Sequence, residues 1–71
     1  MNSIQERLGA RVRALRMRRR WNQEELAEIS GLHRTYIGAI ERGEKNLTIS
    51  TLRILAKTFE TTISNLFRGI G

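Results

Sequence analysis

The 71-residue chain contains no cysteine and no proline, a single histidine, and only four aromatic residues: Trp21, Tyr36, Phe59 and Phe67. Without cysteine there is no disulfide staple and no thiolate metal site, and with His33 as the one histidine zinc chemistry is excluded; no metal or cofactor is expected. No apolar run approaches the roughly 18 residues that a spanning helix needs, and no apolar segment follows the start as in a signal peptide. The expected location is therefore the cytoplasm, away from membranes. Nor is there a paired-carboxylate motif, a nucleophile–base set or a phosphate loop, and a chain of this length encloses little. An enzyme is not expected.

Acidic residues are scarce at one end. Residues 1–20 hold seven arginines against Glu6 alone, whereas residues 21–71 hold six basic and six acidic side chains. The whole net charge of +6 thus sits in the first segment. Such asymmetry favours a polyanionic partner, without by itself separating nucleic acid from an anionic membrane surface.

With no β-alternation, repeat or linker, the sequence reads as one small all-α domain over residues 1–71, with helices set off by caps. Ser3 and Glu6 form a capping box before Ile4, Leu8, Val12 and Leu15, which share one face and predict a helix over about 4–19. Asn22 and Glu25 form a second box opening a helix over about 23–29, with Leu26, Ala27 and Ile29 inward. Gly31 suits the positive φ that follows a helix. A third helix is predicted over about 33–41, stopping before Gly43. Thr48 caps a fourth over about 49–58, and Thr62 a fifth over about 63–68. Trp21 is expected in the core, closing the gap between the first two helices.

Two short helices joined by a three-residue turn with glycine make the sequence form of a helix-turn-helix unit. Leu26 and Ile29 would face Leu32, Ile37 and Ile40, with the small Ala27 where the helices cross closely. One feature of the third helix is odd. Gly38 falls opposite Ile37 and Ile40, where glycine costs roughly 1 kcal/mol relative to alanine. A face left so bare suits a large partner lying against it.

At these residues the chain resembles a known family. The segment NQEELAEISGLHRTYIGAIERGEKN resembles the helix-turn-helix of the lambda-repressor and Cro-like (Xre-like) family, and TLRILAKTF and TISNLF resemble that family's fourth and fifth helices. GLHRTYI, IERG and KNLTI are similar to the controller proteins of restriction–modification systems. The resemblance implies a compact five-helix DNA-binding domain, a transcriptional regulator acting as a homodimer on palindromic double-stranded DNA, with RNA polymerase as a further partner. It also leaves an antitoxin of a toxin–antitoxin pair, or a phage-type repressor, as the alternative. Most such antitoxins cover the toxin with an added segment, and these residues are all used by the domain.

In such a unit the second helix of the pair enters the major groove with its leading end against base edges. By position those residues are Arg34 and Thr35, and arginine's fork matches the O6 and N7 acceptors of guanine. Gly38 and Ala39 match places where relatives carry longer polar residues, so their shortness would let the helix sit deep. Gln23 matches a family glutamine that grips a phosphate, and Arg42, Lys45 and Asn46 resemble a second clamp on the backbone. Tyr36 either packs on the sugar–phosphate chain or shields the core; His33 caps the helix or stays exposed. Arg16 matches a position that pairs with an acid at the end of the third helix, here Glu41, and is assigned to structure. Arg18, Arg19 and Arg20 are left to long-range attraction. Ile63, Leu66, Phe67 and Ile70 supply the apolar surface for a symmetric dimer built on the last helix.

Overall fold

The computed structural model describes residues 3–69, which form α1 (Ile4–Arg18), α2 (Gln23–Ser30), α3 (Arg34–Glu41), α4 (Ile49–Thr58) and α5 (Ile63–Leu66). Among the described residues there is no strand. The all-α, five-helix expectation holds. Both capping boxes close in both directions, Ser3 with Glu6 and Asn22 with Glu25. Thr48 and Thr62 accept from the backbone N–H of Thr51 and Asn65, starting α4 and α5. Gly31 ends α2 at φ 79°, a left-handed conformation that costs glycine nothing. At the ends the boundaries shift. His33 is the cap of α3 rather than its first residue, and α5 stops at Leu66 because the next three residues turn.

Leu8, Val12, Leu26, Ile37, Ile40, Leu52, Leu55, Ala56, Phe59 and Leu66 make the core, drawn from all five helices apart from the α4 cap residue Phe59. Two expectations fail here. Ile29 is 53% exposed and lines a surface hollow with Ser30, Ile54, Lys57 and Thr58, between the end of α2 and α4. Ile4 is 61% exposed, one turn beyond the core at the start of α1.

A contact that composition alone does not reveal fixes α1 on α3. A Cβ at Gly9 would overlap the Ile40 carbonyl oxygen and sit 2.8 Å from that of Glu41, so the two backbones meet at this glycine. Gly43, at φ 76°, lies equally close to Glu6, with 2.7 Å from its virtual Cβ to the Glu6 Cα. The loop after α3 is thereby held against the start of α1.

The far end of α1 is closed by an aromatic cluster. Trp21 stacks on Phe59 with ring centroids 5.9 Å apart, and the Arg19 guanidinium lies 5.4 Å from the indole centroid. Arg19 also donates to the Phe59 carbonyl (2.8 Å) and to Glu60 (3.0 Å). Trp21 is packed against the core as expected. Arg19 is not: these bonds make it a tie between α1 and α4, and the free long-range charge left in the run belongs to its neighbours.

Candidate nucleic-acid interface

The two helices of the motif are set by a hub at Glu41, the last residue of α3. Arg16 donates to its carboxylate through Nε (2.7 Å) and Nη2 (3.0 Å), and Gln23 donates to it at 3.2 Å. Arg16 reaches the Trp21 carbonyl as well, at 2.8 Å. The end of α1, the start of α2 and the end of α3 are thus pinned together, with side-chain exposures of only 12% for Arg16 and 4% for Glu41. Hydrogen bonding to Glu41 raises the Arg16 guanidinium above its ordinary pKa, against the lowering effect of its burial. The structural assignment of Arg16 and Glu41 agrees with this geometry.

Above that hub lies the outer face of α3. His33 caps it, its Nδ1 accepting from the Thr35 N–H at 3.1 Å. Arg34 and Thr35 follow on the leading turn, and both are exposed. Arg34 extends toward α2, where its Nη1 meets the Glu24 carboxylate at 2.6 Å. Glu24 was not singled out by the sequence reading. Glu25 serves the capping box, and Glu24 before it stands in the first turn of α2, where its charge suits the helix dipole while its carboxylate stays free to meet Arg34.

Gly38 requires a correction. It is buried, because Arg42, one turn on, folds back over it: a Cβ there would lie 3.1 Å from Arg42 Nη1 and 3.7 Å from the Gln23 amide oxygen. Residues 34, 38 and 42 form one helical row, so the bare place on the face is filled by the protein's own arginine. Arg42 is steadied there by two bonds to Glu44 (2.8 and 3.2 Å), which raise the Arg42 pKa and lower that of Glu44. Ala39 is also buried, at 6% exposure, yet it floors an open hollow of about 430 Å³. His33, Thr35, Tyr36, Arg42, Glu44 and Lys45 stand around that hollow. Of the two short residues expected to leave room on this face, Ala39 borders the hollow and Gly38 lies under Arg42.

The remaining predicted contacts sort as follows. Gln23 has one amide N–H committed to Glu41. Tyr36 is half-buried with its hydroxyl 3.5 Å from Thr51 Oγ1, so it leans on the start of α4 while one edge borders the hollow. Lys45 and Asn46 are exposed in the loop, and Gln5 of α1 donates to Asn46. Leu66, expected at a dimer surface, is wholly buried; its place on the inner side of α5 leaves nothing for a partner to cover. Ile63 and Phe67 are only partly buried, and Ile70 lies outside the described residues.

Exposed polar side chains at the leading end of α3, flanked by an amide from α2 and cationic groups from the loop after α3, with the carboxylates of Glu24 and Glu44 each paired to an arginine, form a surface suited to the edge of a duplex groove. A family model described as helix-turn-helix matches residues 12–66. The control protein C.SmaI of Serratia marcescens is 56% identical over 63 residues, covering 89% of this chain and 75% of that one. The crystal structure of the restriction–modification controller C.AhdI from Aeromonas hydrophila superposes with a TM-score of 0.83 at 37% identity, covering 87% of this chain and 94% of that one. The controller C.Esp1396I, solved as a tetramer in complex with its natural 35 base-pair operator, superposes with a TM-score of 0.84 at 31% identity, over 99% and 92% of the two chains. The chain belongs to the helix-turn-helix family of transcription regulators, where it groups with the controllers of restriction–modification systems.

Proposed function

We propose that this protein binds a palindromic operator as a dimer and regulates transcription of a restriction–modification system. The observation that carries this reading is the leading turn of α3, where Arg34 and Thr35 project from a backbone pinned by the Glu41 hub. Arg34 reads guanine through its fork, and Thr35 offers a hydroxyl and a methyl to a base pair. Arg42, Lys45, Asn46 and Gln23 hold the phosphates on either side and supply affinity rather than sequence. With Gly38 occupied by Arg42, close approach to the groove is made over Ala39. One copy reads half a site, and operator-bound assembly of a 31% identical relative supports pairing. Ile63 and Phe67 form the contact between copies.

The test is selection of bound duplexes from a random pool, followed by anisotropy titrations on the recovered and scrambled DNA. A palindrome should emerge. Arg34→Ala should cost about 1–3 kcal/mol per half-site and relax preference at one symmetric position. Recovery of no common sequence, or an equal loss on both duplexes, overturns the reading of Arg34.

A further inference from the structure

Glu24 stands at the DNA-facing start of α2, beside Gln23 and across from the leading end of α3. An exposed carboxylate repels phosphates; two stand on this face, Glu44 paired with Arg42, and Glu24 paired with Arg34 in the first turn of α2, where its charge also suits the helix dipole. Within α2 it has no cap to make, since Glu25 bonds the Asn22 N–H and accounts for the box. Among the described residues its ion-pair partner is Arg34, through the single bond from Nη1. That bond leaves Nε and Nη2 uncommitted. The guanidinium has five N–H groups in a fixed plane, so an arginine held at one corner still has a free edge for two acceptors.

We infer that Glu24 is a positioning residue for sequence discrimination: it holds the Arg34 guanidinium forward and penalises any duplex on which Arg34 must leave it. This rests on Arg34 being the base reader. On the operator, Arg34 keeps its corner on Glu24 and gives its free edge to guanine, so the carboxylate stays neutralised beside the DNA. On other sequences no guanine waits at that place, and the long side chain gains most by swinging to a phosphate. Glu24 is then unpaired next to the polyanion, a like-charge juxtaposition that weakens the wrong complex. Specificity here comes from an acid that opposes binding wherever its arginine is drawn off.

The experiment compares wild type, Glu24→Gln and Glu24→Asp on the selected duplex, on the same duplex with the guanine replaced, and on scrambled DNA, at several salt concentrations. Glu24→Gln should tighten scrambled and guanine-replaced DNA by roughly fivefold and tighten the selected duplex much less, so that the ratio of affinities falls. Glu24→Asp, keeping the charge, should retain most of that ratio. In an Arg34→Ala background Glu24→Gln should act equally on all duplexes, because the arginine that couples acid to base is gone. An equal tightening of all duplexes by Glu24→Gln in the wild-type background would show simple repulsion and overturn the inference. The two readings fail differently. If Arg34→Ala collapses the ratio while Glu24→Gln leaves it unchanged, Glu24 alone is misassigned; if Arg34→Ala leaves the ratio intact, the base-reading role falls and takes this one with it.

Discussion

The seam between α1 and α3 and the outer face of α3 are built from the same parts. Each has an arginine–glutamate pair, and each has a glycine pressed by a neighbour. On the seam, Arg16 and Glu41 share two bonds at 12% and 4% exposure, and Gly9 lies against backbone carbonyls. On the face, Arg34 and Glu24 share one bond at 62% and 68% exposure, and Gly38 lies under the tip of a flexible side chain. What differs is access to water. Buried, the pair has nowhere else to go and holds three chain segments in register; exposed, it is worth little to the fold and is free to exchange partners with DNA.

The largest effect should follow from breaking the buried pair. Glu41→Ala strands Arg16 and removes the acceptor for Gln23, and loss of one partner of such a pair costs about 3 kcal/mol or more. A domain of this size holds roughly 4 to 10 kcal/mol in all, so urea unfolding should show the midpoint fall steeply. DNA binding should weaken on every sequence, as the start of α2 and the end of α3 lose their common anchor. A midpoint within error of wild type would place the Glu41 hub among contacts that the fold does not need.

The two glycines sharpen the contrast, since the same substitution should have opposite signs. Gly9→Ala puts a methyl group into backbone that cannot yield without moving α1 off α3, and overpacking of this kind costs about 1–3 kcal/mol. Gly38→Ala is crowded by Arg42 Nη1, at 3.1 Å and at the end of a rotatable chain, its other neighbours being at ordinary contact distance. There the gain in helix propensity, up to about 1 kcal/mol, should outweigh the displacement of the guanidinium. Thermal unfolding of the two variants reads both signs at once. Because Gly38→Ala also moves Arg42 from its seat, its DNA affinity should drop modestly even as the melting temperature rises.

Where the sequence reading succeeded and failed follows the same division. Caps and apolar spacing are local, and they placed the helices; the positions of Arg16 and Glu41 came from resemblance and met in space as implied. The residues misread are those whose surroundings are set by distant chain or by a side chain's own choice. Gly38 looked bare because nothing local says that a cap arginine will fold back over it. Leu66 and Phe67 are adjacent apolar residues, and only the docking of α5 decides that the first is wholly buried and the second partly so. Gly9, in plain view inside an apolar helix face, carried the same kind of signal as Gly38 and marks the tighter contact.

The smallest expected effect is also the most direct measure of the comparison. Double-mutant cycles on unfolding, run with alanine at Arg16 and Glu41 and again at Arg34 and Glu24, subtract everything except the coupling within each pair. The buried pair should couple by about 1 kcal/mol or more. The exposed pair should couple by a few tenths of a kcal/mol at most, because water screens it and its two long side chains lose freedom to form one bond. Raising the salt concentration should erase the second coupling and leave the first nearly intact, since ions reach a surface pair and not a covered one. Should Arg34 and Glu24 couple as strongly in the free protein as Arg16 and Glu41 do, Arg34 would be held too firmly to exchange partners. Glu24 would then stay paired on every sequence, and discrimination would have to come from the free edge of Arg34 and from Thr35 alone.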